Sequence, residues 1–517
     1  MKKFDFCIYG GTPAGIIACV TAARLGKKVA LVEPSSQVGG MMTSGLNATD
    51  AVGKSWITGV SREYFIRARM HYGTRYLPSR IESKVSANIF EAMLSDPRIE
   101  VFKDTYITDK LRGGQHILKV SLSNGEIISA KWWLDATYEG DLLHIAGVAY
   151  RAGREPRTEF NEALAGRLTT KSMFPWKNSI QLAPRINGQL RPFIEEYDPA
   201  TIGSADDRVQ SYCIRPTLTN INIPDLKTPI TKPEDFDFST FDLFREMSQH
   251  LPNAVVRSRW HQNMGTTFKS GFFNLAEVPQ GKWDMNSGPL APINNPFLTK
   301  GWLDASFEKR KDIAEQFRRY TQAILYFIQN DESVPKPVRL FFSDFGLPAD
   351  EYTDTGNLPS AVYVREGRRL SGEDTFTQHH IEGGGVDDCE AVCEGRYFLD
   401  CKPVVWRENQ KGNNIVREGM FFSPSEPLKY SIPSWVMLPK RNDVLNLMSL
   451  CAVSASHVAF GSFRMEPIWM EIGNVAPIIA HLADERRLFP HDVDAKSVRE
   501  IRDRDLMLFR ENDVVAA

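Results

Sequence analysis

One unit near the start of the chain constrains its folding more than any other feature. Asp5-Phe6-Cys7-Ile8-Tyr9 is a short apolar run, followed by Gly10-Gly11-Thr12-Pro13-Ala14-Gly15. Residues 16–25 are rich in small and apolar residues and reach Gly26, a natural helix-ending residue. Lys27 and Lys28 fall at the negative end of that helix, and Val29-Ala30-Leu31-Val32 reads as a second buried strand ending in Glu33. This is a β-α-β unit of about thirty residues with an acid at its end. Such a unit points the N-terminus of its helix at a phosphate. Gly10 serves the tight turn and Gly15 lets helix and strands approach closely. Pro13 and Ala14 open the helix, and the Glu33 carboxylate is placed to accept from ribose hydroxyls. Thr12 stands where the middle glycine of G-x-G-x-x-G belongs; its side chain crowds a pyrophosphate, although its hydroxyl can donate to one. The expected ligand is a dinucleotide. The alternative is an ordinary tight turn between strand and helix. Gly39 and Gly40, just beyond the acid, suggest close backbone approach to the ligand.

The remaining sequence sets the outer limits. The 517 residues carry 62 Lys and Arg against 64 Asp and Glu, a net charge of −2, which argues against a general nucleic-acid binder. Seven cysteines, an odd and sparse set, read as free thiols of a reducing compartment. Cys389, Cys393 and Cys401, with His379 and His380, fit no standard zinc spacing, so no metal is expected. No signal peptide is apparent. Residues 444–463 lack Asp, Glu, Lys and Arg but carry Asn446, His457 and four serines, a poor membrane span. The expectation is a cytoplasmic protein.

The periodicity predicts helices over 60–72 and 83–95, then a β-meander over 99–134 with hairpin turns at Gly113-Gly114 and Asn124-Gly125. From 150 to 430 the pattern weakens, apart from a helix over 306–330 capped by Ser306. Residues 443–463 read as a strand and then a loop. Residues 465–482 read as a helix that Pro477 kinks or breaks. The charged residues 499–505 read as a solvated helix face.

These residues resemble the FAD-dependent oxidoreductases of the glutathione-reductase-like fold. More closely, they resemble a bacterial family labelled FAD-dependent oxidoreductase and, in places, xanthan lyase. No residue supports the lyase label. The resemblance spans nearly the whole chain. It rests on the 10–15 fingerprint, on Val38-Gly39-Gly40-Met41, and on Asp135-Ala136-Thr137-Tyr138-Glu139-Gly140-Asp141-Leu142. It rests further on Tyr363-Val364-Arg365-Glu366-Gly367-Arg368-Arg369 and on residues 454–467, Ser-Ala-Ser-His-Val-Ala-Phe-Gly-Ser-Phe-Arg-Met-Glu-Pro. Family members also tend to carry Thr at the middle fingerprint position. The family's final helix usually runs through small residues, where this chain has Gly473-Asn474-Val475-Ala476-Pro477.

The resemblance implies an α/β fold: a Rossmann-like FAD-binding domain interrupted by a large α+β cap. The expected boundaries are 1–150 and 431–490 for the FAD-binding parts, 151–430 for the cap and 491–517 for a helical tail. It implies FAD as cofactor, with Met42, Asp135 and Ser456 joining the fingerprint residues. The cap would supply Asp284, Asn286 and Arg365 to a small-molecule substrate. The loop after the last strand would supply His457 as a base, Arg464 to hold a substrate or flavin oxygen, and Glu466 to orient Arg464. Hydride transfer with a sugar or polyol is the favoured chemistry, to an electron acceptor the sequence does not name. The alternatives are a non-catalytic FAD- or NAD-binding module and a flavoprotein acting on tRNA. The net charge argues against the latter.

Overall fold

The computed structural model describes all residues except 51–53, 169–170, 173–180, 251–254, 260–265, 289–292, 423–427 and 505–517. Strand β1 (Lys2–Tyr9) leads through Gly10-Gly11 into helix α1 (Pro13–Arg24), and strand β2 (Val29–Val32) returns beside β1 in parallel, with Tyr9 opposite Val32. Helices α2 (Gly59–Tyr72) and α3 (Ser83–Met93) precede strand β3 (Ile99–Phe102), which lies parallel to β2. Strands β4 (Ile107–Gly113), β5 (His116–Leu122) and β6 (Ile127–Asp135) follow as two antiparallel hairpin connections. The meander expected from residue 99 therefore begins at 107. β3 arrives from a helix, so it completes a second crossover and must run parallel.

The sheet order is β3-β2-β1-β6-β5-β4. β1 has β2 on one side and β6, also parallel, on the other, so the order reverses at β1. The crevice outside the carboxyl ends of such strands is where open α/β sheets bind ligands. Gly10, Glu33 and Ala136 all emerge at that edge.

Within residues 150–430 the chain builds a second layer, although side chains from 376–401 and 421–430 pack into the core of the parallel sheet. Strands β7 (Thr217–Thr219), β8 (Val256–Arg259), β9 (Thr266–Lys269), β10 (Phe273–Val278) and β11 (Lys282–Ser287) form an antiparallel sheet in the order β7-β11-β10-β9-β8. Helix α4 (Phe307–Asn330) packs against it through Ile324, Phe327 and Ile328. Its cap is Ser306, whose hydroxyl accepts the Lys309 N–H at 3.2 Å. A further hairpin joins β12 (Val405–Glu408) and β13 (Ile415–Glu418). The chain then returns to the first sheet as β14 (Leu447–Ser449), parallel to the end of β6.

Three helices end the described chain, the last over Ala495–Arg504, where Arg502 is buried rather than solvated. Residues expected as a loop after β14 form helix α5 (His457–Phe463), capped by the Ser456 hydroxyl, and α6 (Glu466–Arg486) follows. α6 runs unbroken through Pro477, so the expected break does not occur. It is buried along most of its length, and packing holds it through the missing donor. At Gly473 it presses so closely on α1 that an added Cβ would lie 2.3 Å from the Ala14 carbonyl oxygen. Among the described residues, no helix is long and apolar enough to cross a membrane.

The two apolar cores meet along one strip. Met42 belongs to the core beneath the parallel sheet, with Ile17, Leu31 and Trp469, whereas its neighbour Met41 belongs to the cap core, with Leu275 and Ile324.

Candidate functional site

A groove of about 840 Å³ opens at the carboxyl edge of β1 and β2. Gly10, Thr12, Glu33 and Gly40 line it, with Thr137, Tyr138 and Glu139 opposite and the first turns of α4 above. Gly10 has φ 105°, and a Cβ there would sit 2.7 Å from the Thr137 nitrogen. Only glycine allows β1 and the 135–143 turn to come this close. A Cβ on Gly15 would lie 2.1 Å from the Gly10 carbonyl oxygen, and Pro13 and Ala14 are buried in the same turn.

Glu33 ties the groove together. Its Oε2 accepts the Gly11 N–H at 2.6 Å, and its Oε1 accepts from the Ser35 N–H and hydroxyl at 2.8 and 2.7 Å. Both lone pairs of Oε1 are thus engaged, and Oε2 keeps one for a ribose hydroxyl. Thr12 departs from expectation. Its hydroxyl donates inward to the Ala136 carbonyl at 2.8 Å and caps α1 by accepting the Gly15 N–H at 3.2 Å. Thr12 still lines the groove, but its hydroxyl is engaged within the protein.

Several expected cofactor residues act from behind the groove. Gly39 (φ 106°) donates its N–H to the Gly11 carbonyl at 2.6 Å, fastening the 39–45 strip to the fingerprint turn. Met42 is buried in the core. Asp135 is fully buried and accepts from the Thr137 N–H and hydroxyl and from the Leu143 N–H, at 2.7–3.0 Å. It braces the turn that carries Thr137 and Tyr138 and does not line the groove. Burial pushes its carboxyl up to about 7. Ser456 does not line it either: its hydroxyl caps α5 and donates to Glu162 at 2.5 Å.

A second cavity, of about 470 Å³, lies beside the first. Ser44 lines the groove and Ala48 the second cavity; Val362 lines the groove and Tyr363 the second cavity. Asp284, Asn286, Arg365 and Arg464, chosen from separate parts of the sequence, all line this chamber. Asp284 is fully buried and paired with Arg215 at 2.7 Å.

His457 and Glu466 line neither cavity. The His457 ring is 1% exposed, with Nδ1 2.9 Å from both Glu366 oxygens and Nε2 without a partner. Glu366 lies 3.1 Å from Arg369, Arg369 pairs with Glu155 at 2.6 Å, and Glu155 accepts the His457 backbone N–H at 3.0 Å. The ring of charges is closed.

Glu466 does not orient Arg464. Arg464 pairs with Asp400 at 3.1 Å and donates to the Tyr363 hydroxyl at 3.2 Å. Glu466 instead accepts from the Tyr138 hydroxyl at 2.5 Å, which in turn accepts the Met41 N–H at 3.0 Å. Burial pushes its carboxyl up to about 8, while its Oε2 is bare. Because the folded state holds this proton and the unfolded chain releases it near pH 4.5, stability falls as pH rises from about 5 through 8. Glu466→Gln, which keeps an acceptor for Tyr138, is expected to flatten that fall by roughly 2–5 kcal/mol, read from urea midpoints at pH 5 and 8.5. Asp135 contributes a smaller slope that remains. An unchanged slope in the variant contradicts the burial argument.

Sequence reasoning missed Arg80, Lys402, Asp400 and Arg417, all on the wall of the second cavity. One signal was present: paired strands β12 and β13 each end in Arg-Glu, at 407–408 and 417–418, and all four residues are buried.

The strand-order reversal at β1, the glycine turn into α1 and the acid that follows β2 are the layout of a dinucleotide-binding α/β protein. The family profile "FAD dependent oxidoreductase" matches residues 5–503. The chain belongs to that family; it is an FAD-dependent oxidoreductase and its cofactor is FAD. No curated protein matches it. Among solved structures, the match to an oxidoreductase from Agrobacterium tumefaciens has 16% identity and TM-score 0.18, over 26% of this chain and 36% of that one. THI4 of Thermovibrio ammonificans has 20% identity and TM-score 0.23, over 30% and 66%. GidA of Aquifex aeolicus has 18% identity and TM-score 0.22, over 29% and 27%.

The groove fits FAD. Its volume is that of a cofactor site, and Glu33, the Gly10 cradle and the start of α1 match ribose and pyrophosphate. Glu33→Ala is expected to weaken FAD binding by roughly 1.5–3 kcal/mol, through loss of a charged acceptor. An unchanged dissociation constant in a flavin titration removes Glu33 from the ribose site.

Proposed function

We propose that the chain transfers a hydride between a small polar molecule and FAD, within the sugar and polyol class that the family resemblance favours. The supporting observation is the second cavity, separated from the nucleotide groove by one peptide step at residues 362–363 and walled by polar side chains. FAD, when bound, supplies the hydride-accepting chemistry. The chain binds and orients the substrate, and it moves a proton. Asn286, Arg365 and Arg464 orient the substrate's oxygens. As the C–H pair leaves as hydride, the O–H pair closes the carbonyl and the hydroxyl proton passes through an intervening water to His457 Nε2, since the buried ring lines neither cavity. The Glu366 carboxylate on Nδ1 selects the tautomer with Nε2 as acceptor and stabilises the imidazolium that results. Asp400 holds Arg464 in place.

The test is anaerobic. FAD-loaded protein is mixed with sugars, polyols, their acids and amines, and the flavin band is followed. Bleaching by one class supports the reading. A flavin that every compound leaves oxidised, while dithionite reduces it, rejects it.

A further inference from the structure

The second cavity is unbalanced in charge. Six cationic side chains reach its wall against three carboxylates, in a chain of net charge −2. Three of these cations make ion pairs within the protein: Arg215 with Asp284, and Lys402 and Arg464 sharing Asp400; the third carboxylate, Asp50, pairs with none of them and accepts from the Tyr397 hydroxyl at 3.1 Å. The other three, Arg80, Arg365 and Arg417, form no ion pair among the described residues.

Arg365 is 1% exposed. It donates to the Ser211 carbonyl at 2.6 Å and the Cys213 sulfur at 3.2 Å, stacks 4.3 Å over the Tyr363 ring, and leaves Nε bare. Arg417, in β13, is 8% exposed, and its guanidinium makes no hydrogen bond among the described residues. Burial alone pulls it down to about 10, with no acid raising it. Arg80 gives Nη1 to the carbonyls of Thr266 and Glu277 and leaves Nε bare. Burying a cation without a counter-ion costs folding free energy. Two such cations around one chamber, with the half-buried Arg80 beside them, are explained by a ligand that brings the missing negative charge.

We propose that the substrate carries an oxyanion, held in the second cavity by the forked guanidinium groups of Arg365 and Arg417 with Arg80 beside them. This deepens, and rests on, the reading of that cavity as the substrate site. It narrows the class from neutral sugars and polyols to their acidic derivatives. Guanidinium forks match carboxylate and phosphate geometry, and two parallel N–H···O bonds fix the bound group's orientation. The hydroxylated carbon would then be presented by the anchored end of the molecule.

The experiment uses FAD-loaded full-length protein at constant ionic strength and three probes that share a skeleton: D-glucuronate, D-glucose 6-phosphate and D-glucose. Binding is read as a saturable thermal shift, and flavin reduction is read separately by absorbance. At least one charged probe is expected to bind ten times more tightly than glucose or better. Tighter glucuronate identifies a carboxylate; tighter glucose 6-phosphate identifies a phosphate. Arg417→Gln should weaken that binding at least tenfold and raise the melting temperature of the ligand-free protein. Arg417→Lys should restore part of the affinity. Glucose binding as well as the charged probes, no shift with either charged probe at 100-fold the protein concentration and above into the tens of millimolar, or wild-type affinity in Arg417→Gln each overturns the proposal. Anion binding without flavin reduction by any compound leaves the oxyanion site standing and rejects the redox reading, so the two failures are distinct.

Discussion

Gly15→Val is expected to give protein that neither folds stably nor retains FAD. A Cβ at this position would lie 2.1 Å from the Gly10 carbonyl oxygen and 3.0 Å from the Ala136 side chain. The first neighbour is backbone of the strand-to-helix turn, so no rotamer change relieves the contact. α1 cannot shift away either, because Ala14 is pressed against α6 at Gly473. The cost should exceed the about 1–3 kcal/mol of ordinary overpacking, a large share of the stability of a typical domain. Expression followed by flavin absorbance and thermal melting checks this. Soluble variant protein with full FAD content and a wild-type melting temperature contradicts the packing argument.

His457→Ala is expected to keep fold and cofactor and to slow flavin reduction by its substrate roughly 10²–10⁴-fold. The imidazole has one nitrogen committed to Glu366 and the other bare, the arrangement of a base with its orienting acid. Truncation leaves Glu366 paired with Arg369 and leaves Glu155 bonded to the backbone N–H of residue 457, so the charge ring survives. Stopped-flow reduction at the wild-type rate excludes His457 as the proton acceptor. A lost FAD band marks it as structural.

The nucleotide half was legible because its physics is local. A tight turn, a helix start and a strand-terminal acid fall within one short stretch, and the glycine at 15 is demanded by the Gly10 carbonyl five residues earlier, although the glycine at 10 answers to the distant 136–137 backbone. Ser306 was legible for the same reason, since a cap acts three residues away. What failed was long-range. The parallel pairing of residues 99–102 depends on a strand seventy residues earlier. The unbroken helix through Pro477 depends on packing against α1 and the sheet. Arg464 finds Asp400, sixty-four positions away, in preference to the nearby Glu466. Thr12 was read as facing the phosphates because sequence gives a hydroxyl but not its direction; in the fold the Ala136 carbonyl claims it. The cationic chamber is the clearest case. Its arginines come from residues 80, 365 and 417, and only the sheet and cap together bring them to one wall.

The most direct measurement is a crystal structure of the FAD-loaded protein. The expected density places the adenosine ribose against Glu33, the pyrophosphate at the start of α1, and the isoalloxazine at the 40–45 strip with one face open to the chamber of Tyr363 and Arg365. A flavin ring pointing away from that chamber, or lying within it among Arg365 and Arg417, would contradict the two-cavity arrangement on which the proposed chemistry depends.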